Sequence, residues 1–287
     1  MKISDIAVLQ QFCTMCDDGV SLGWHERNAG NLSCRLTEDE LGQFVPFIKS
    51  RPQEWVNIGV CEESLAGEFI MITGSGKYLK NVSCSPQDNV CIVEINKSGD
   101  AYRIIWGLEK GGRPTSEFPT HFIGHSVIKK KSGGAHRIIY HAHTPYTVAL
   151  GHILPLDTNA FSKFLWLSEC ECCAVFPDGV GVLEWLLPGG TEIARASGRL
   201  LEGHEAVFWA FHGMLVSGTD FDYTFGLCHM IEKASQVAVT ALSAAPNMKM
   251  RRKMTEENLT ELAESLNVRL NQDVLKFQFT EEPFCFF

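Results

Sequence analysis

The chain has 287 residues, 45% of them hydrophobic and 21% charged, which is enough apolar material for one large core or two smaller ones. A formal net charge of -9 excludes a non-specific nucleic-acid binder, because the overall field repels phosphate; any anionic ligand has to be held by local donors.

The N-terminal stretch lacks the organisation of a signal peptide. Ile6, Leu9, Cys13, Cys16 and Val20 recur at helical spacing, with Gln10, Gln11, Asp17 and Asp18 between them. No apolar run reaches bilayer length, so a cytoplasmic protein is expected. The eleven cysteines are then most simply reduced thiols. Cys13-x-x-Cys16 has a zinc-like spacing, with Cys170, Cys172 and Cys173 as its imaginable other half. The first pair lies on the apolar stripe of the helix, however, and the second group alternates along a predicted strand, so both are assigned to packing.

Gly23–Asn31 reads as a loop before a strand, Leu32–Leu36. Residues 42–65, with Pro46, Pro52 and Gly59, read as a long loop. Phe69–Thr73 is a predicted strand running into Gly74-Ser75-Gly76-Lys77. Val90–Ile95 and Tyr102–Trp106 form a hairpin about Asn96–Asp100. A helix opens within Pro114–Pro119 and stops at Gly133-Gly134, its Lys129–Lys131 run complementing the helix dipole. Arg137–His143 is a strand, after which Thr144 caps a helix with Pro145 as its first residue. There follow a helix at 159–167, a strand Cys170–Phe176, a helix Glu192–Leu201 and a strand Ala206–Phe211 ending at His212-Gly213. A long helix from Asp222 to about Ala245 and one from Thr255 to Asn267 complete the series. The tail after residue 268, with three phenylalanines among its last four residues, has no assignment beyond docking on a neighbouring subunit. Helices and strands alternate throughout, so residues 1–287 read as a single three-layer α/β domain.

His141 and His143, two apart on a strand, project from one face and can chelate one metal ion; a satisfied structural pair is the competing reading. His121 and His125, one helical turn apart on the face of Glu117, form a rival pair, although they border the apolar residues Phe118, Phe122, Ile123 and Val127. If the strand ending at His212 neighbours the His141–His143 strand, three imidazoles meet, which is the ligand pattern of a catalytic zinc. Glu117, at a helix start, can be a fourth ligand, a general base or a charge favoured by the helix dipole. The loops Asn28–Asn31 and Thr73–Lys77, together with Ser116, can form a nest for phosphate, although neither has P-loop spacing and each alone is an ordinary turn.

Taken in order, these segments resemble the class II aldolase/adducin family. The resemblance rests on Gly23-Trp24, Glu26-Arg27-Asn28, Gly30-Asn31-Leu32, Ile72–Lys77, Ile105–Leu108, Pro114–Glu117, His141-Ala142-His143, Val175–Gly181 and Phe211-His212-Gly213. It implies an α/β/α fold with a central, largely antiparallel or mixed sheet. It also implies zinc-dependent, reversible cleavage of L-rhamnulose 1-phosphate to dihydroxyacetone phosphate and L-lactaldehyde. On this resemblance His141, His143 and His212 bind one Zn2+ per subunit, and Glu117 is the acid/base at the carbon that becomes nucleophilic. Asn28, Asn31, Ser75, Gly76 and Ser116 surround the phosphate. Glu171, from an adjacent subunit of a homotetramer, handles the proton on the aldehyde side. Ala29 stands where the pattern has glycine. No lysine stands out as a Schiff-base nucleophile. The alternatives are another sugar-phosphate aldolase, an epimerase or a dehydratase on the same zinc scaffold, or a non-catalytic adducin-like interaction protein. No nucleic-acid or membrane partner is expected.

Overall fold

In the computed structural model, which describes residues 2–49, 53–245 and 250–279, the β-branched and aromatic runs form strands and the 3.6-periodic runs form helices. In chain order these are α1 (Ala7–Ser21), β1 (Asn31–Arg35), α2 (Glu38–Phe44), β2 (Val56–Asn57), β3 (Phe69–Thr73), α3 (Pro86–Asn89), β4 (Val90–Ile95), β5 (Ala101–Gly107), α4 (Phe118–Lys131) and β6 (Ile138–Ala142). Next come α5 (Pro145–Gly151), α6 (Thr158–Ser168), α7 (Cys172–Val175), β7 (Val180–Leu183), α8 (Thr191–Gly203), β8 (Ala206–Trp209), β9 (Gly213–Gly218), α9 (Phe221–Ala244), α10 (Glu256–Ser265) and α11 (Gln272–Lys276). Two units emerge: Met1–His143 with Leu186–Glu202 and Ser217–Phe225, and Thr144–Trp185 with Gly203–Val216 and Gly226–Phe287. No helix of the described residues is long and apolar enough to cross a membrane.

The first unit holds an antiparallel sheet in the order β2-β5-β4-β3-β1-β6. The final residues of β9 also belong to this unit, where the Gly218 carbonyl accepts from the Arg137 N–H. Every residue of β1 and of β6 is buried, as in a sheet covered on both faces. Ile139 and Tyr140 alternate on β6: a Cβ built on Gly124 of α4 would lie 2.7 Å from Ile139, and one on Gly19 of α1 would lie 2.2 Å from the Tyr140 hydroxyl. Helices α1 and α4 thus cover opposite faces, giving the expected α/β/α layering. Ile70, Ile72, Val93 and Ile104 pack with Phe118, Phe122 and Ile123 of α4 in one apolar cluster.

Helix α4 starts where Pro119, in its first turn, has no N–H to leave unpaired, and it stops at Gly133 and Gly134, both in the left-handed region (φ 62° and 94°). Gly107 ends β5 at φ 82°, and a Cβ there would fall 2.1 Å from the Val90 carbonyl oxygen. Gly107→Ala is therefore expected to destabilise the chain by about 2–4 kcal/mol, combining backbone strain with a steric clash, as read from urea denaturation.

In the second unit β7 runs parallel to β8 and β9 antiparallel to it. The β8–β9 connection is tight: Trp209 pairs with Gly213, the His212 N–H donates to the Trp209 carbonyl, and Phe211 takes a left-handed φ of 63°. The buried Glu232 of α9 accepts from the N–H groups of Tyr146 and Thr147 and from the Thr147 hydroxyl. A carboxylate from another element, rather than the Thr144 side chain, thus satisfies the first turn of α5.

Several local expectations change. Cys170–Phe176 is not a strand; its centre is the helical turn α7, with Cys172 and Cys173 buried. A short run of alternating polar and apolar residues does not separate a strand from one turn of helix. β7 and β9 are strands beyond those expected: β7 has only four residues, and β9 begins and ends at glycine, a residue that weakens a strand signal. The 42–65 stretch contains the end of α2, the two-residue strand β2 on the sheet edge and 3-10 turns at Val45–Phe47 and Glu63–Leu65. The tail contains α11; residues 50–52 and the phenylalanine-rich 280–287 lie outside the described residues.

Candidate active site

Because β1 is antiparallel to both β3 and β6, its first residue lies beside the last residues of both neighbours. Asn31 pairs with His141, and the Leu32 N–H donates to the Thr73 hydroxyl at 3.3 Å. Residues more than a hundred positions apart thereby meet at one end of the sheet in the first unit. Gly30 permits this approach: at φ 74°, a Cβ there would sit 2.3 Å from the His25 ring and 2.8 Å from the His141 carbonyl oxygen.

The His141 and His143 rings stand 5.2 Å apart. The His143 N–H donates to the Trp24 carbonyl, and its ring Nδ1 lies 2.6 Å from Glu26 Oε1. A carboxylate only accepts, so His143 carries its proton on Nδ1 and presents Nε2 as the basic nitrogen. Partial burial works to raise the Glu26 carboxyl, but the His143 hydrogen bond, a backbone N–H and the nearby His143 and His25 rings together outweigh it and hold the group below its ordinary range.

Glu117, the residue before α4, is buried. Its Oε2 accepts from Asn31 Nδ2 at 2.8 Å and lies 3.7 Å from His141 Nε2. Burial pushes its carboxyl above the ordinary carboxylate range, against the Asn31 hydrogen bond and the nearby His143. Raising a carboxyl above its ordinary range moves it towards one in which it can both take and return a proton.

The loop after β3 is tied to the segment before α4: the Ser75 N–H donates to the Arg113 carbonyl at 2.8 Å and the Thr115 N–H to the Thr73 carbonyl at 3.0 Å. Ser75 is half-buried, while Gly76 and Ser116 are exposed, as is Asn28, which follows Arg27 at a left-handed φ of 54°. Asn31 differs, being buried with its amide spanning Glu117 and His121. His121 and His125 are not a chelating pair. His121 Nδ1 and His125 Nε2 both bond the Ser33 hydroxyl, at 2.7 and 2.8 Å. In the second unit His212 is half-buried with its ring against Trp209, and Glu171 is exposed at the residue before α7, where its side chain makes no capping hydrogen bond.

A family model, the class II aldolase and adducin N-terminal domain, matches residues 10–239. The chain belongs to that family. Among relatives of this class II aldolase family member, the rhamnulose-1-phosphate aldolase of Klebsiella pneumoniae subsp. pneumoniae is 36% identical over 273 residues, covering 95% of this chain and 98% of that one. The rhamnulose-1-phosphate aldolase of Mannheimia succiniciproducens is 41% identical over 221 residues, 77% of this chain and 81% of that one. The fold is similar to that of a sugar-phosphate aldolase from Thermotoga maritima, with a TM-score of 0.70 and 25% identity over 83% of this chain and 96% of that one.

Two features of this class II aldolase family member had no local signal in the sequence. The contact of Glu26 with His143 joins a loop to the residue that follows β6, 117 positions later. Ser33 sits in a buried strand whose polarity alone does not say what it bonds.

Proposed function

We propose that the chain is a metal-dependent aldolase that reversibly cleaves L-rhamnulose 1-phosphate to dihydroxyacetone phosphate and L-lactaldehyde. His141, His143 and His212 each offer one ring nitrogen to a single zinc ion. The donor chemistry fits: neutral imidazoles suit a borderline-soft divalent ion, and Glu26 fixes the tautomer in which His143 ligates through Nε2. When bound, zinc supplies Lewis-acid stabilisation of the negative charge that develops as the carbon–carbon bond breaks.

Glu117 moves the proton at the carbon that becomes nucleophilic. The observation that carries the reading is this buried carboxyl, raised in pKa and 3.7 Å from an imidazole of the proposed ligand set. Asn28, Ser75, Gly76 and Ser116 hold the phosphate in an overall acidic protein through neutral donors. Asn31 links that loop to Glu117. Glu171 from a neighbouring copy in a homotetramer serves the aldehyde-side proton, and the enzyme works in the cytoplasm. A non-catalytic, adducin-like role gives no reason to keep a buried acid beside a histidine pair.

The test is a coupled assay for dihydroxyacetone phosphate from a panel of ketose 1-phosphates. Rhamnulose 1-phosphate should be cleaved with the highest kcat/KM; a higher value for fuculose 1-phosphate would move the assignment to a sister aldolase. Removing the Glu26 carboxylate in Glu26→Ala frees the His143 ring, and metal affinity should fall about 10–100-fold in a competition titration with a chelating dye.

A further inference from the structure

A line of buried hydrogen bonds leads from Glu117 into the core of the first unit: Glu117 to Asn31, Asn31 to His121, His121 to Ser33, and Ser33 to His125. Asn31 and Glu117 are nearly buried, and Ser33, His121 and His125 completely so. Burial brings His121 down to about 3 and His125 well below its ordinary value, so both rings are neutral.

With neutral rings, each link has one direction. The Glu117 carboxylate accepts, so Asn31 presents its NH2 there and its Oδ1 to His121. That oxygen also only accepts, so His121 carries its proton on Nε2 and offers the Nδ1 lone pair to Ser33. The Ser33 hydroxyl gives its one proton to His121 and must therefore accept from an Nε2–H on His125. His125 Nδ1, which makes no hydrogen bond among the described residues, is then a bare lone pair. Reversal would face the Asn31 carbonyl towards the Glu117 carboxylate. It would also bury an N–H on His125 Nδ1 with no acceptor, which costs more than an unpaired lone pair.

We propose that Ser33, His121 and His125 are positioning residues that lock the Asn31 amide with its NH2 turned towards Glu117, and so hold that carboxylate in its reactive orientation. The two ends of an asparagine amide are alike in shape, so only its hydrogen-bond partners decide which way it faces. An amide does not pass protons along, so the line orients the acid/base without serving as a proton relay. The inference rests on Glu117 being the acid/base of the proposed reaction.

Two measurements test it. In protein labelled with 15N-histidine at neutral pH, His121 and His125 should both show a protonated Nε2 and a bare Nδ1; a proton on Nδ1 of either ring overturns the proposal. In the aldolase assay, Ser33→Ala and His121→Leu should lower kcat about tenfold, with KM for the ketose phosphate and the metal content close to wild type. His121→Gln, which keeps an N–H for Asn31, should recover most of that loss. Rates for both disruptive variants within twofold of wild type would overturn the proposal, and if either variant fails to fold, the imidazole spectra still decide. Glu117→Gln in the same assay separates the two readings. Full activity there removes the acid/base itself, whereas loss there beside an active Ser33→Ala removes only the positioning role.

Discussion

Glu117→Gln is expected to lower kcat by about 10²–10⁴-fold, the usual contribution of a positioned acid/base, and to leave metal content and KM close to wild type. Glutamine keeps the size and an oxygen for Asn31 Nδ2, now 2.8 Å from the carboxylate, so the local packing survives. What it removes is the group proposed to take the proton. The half-reaction isolates this effect: wild-type protein with dihydroxyacetone phosphate in D2O should exchange one carbon-bound hydrogen, followed by NMR, and the variant should not. Exchange at the wild-type rate would assign the proton to another group.

Stripping the metal should lower turnover by at least about 10³-fold, since Lewis-acid stabilisation is worth several kcal/mol at 1.4 kcal/mol per decade. Added zinc should restore the stripped wild-type protein. His143→Ala should stay inactive with zinc added, because it loses one of the imidazoles proposed to grip the ion. The readouts are metal content by mass spectrometry and the aldolase rate on the same samples. Undiminished turnover in protein shown to be metal-free would eliminate the mechanism, and trapping by borohydride would point to a Schiff base instead.

The parts of the fold that could be read from the chain are those with a repeating period. The β6 strand and the shared face of His141 and His143 follow from alternation over five residues, and α9 follows from its apolar stripe. The stop of α4 follows from two glycines. The chemistry of His121 and His125 could not be settled this way, because an i, i+4 pair on a helix serves a metal or a neighbouring strand equally well. Ser33, contributed by β1, decides in favour of hydrogen bonding. The cap of α5 shows the same limit: Thr144 has the right side chain in the right place, yet Glu232, 88 positions later in the chain, satisfies the first-turn N–H groups.

By itself, then, the sequence determined the alternation of elements, the facing imidazoles of His141 and His143 and, through an ordered set of motifs, the family. Each rests on short-range periodicity or on residue identity. The tertiary structure alone decided that antiparallel pairing of β1 with both β3 and β6 sets Asn31 beside His141 and Thr73, that burial raises the Glu117 carboxyl, and that Glu26 orients His143. These depend on which distant segments become neighbours and on how much water they exclude, and no local pattern in the chain carries that information.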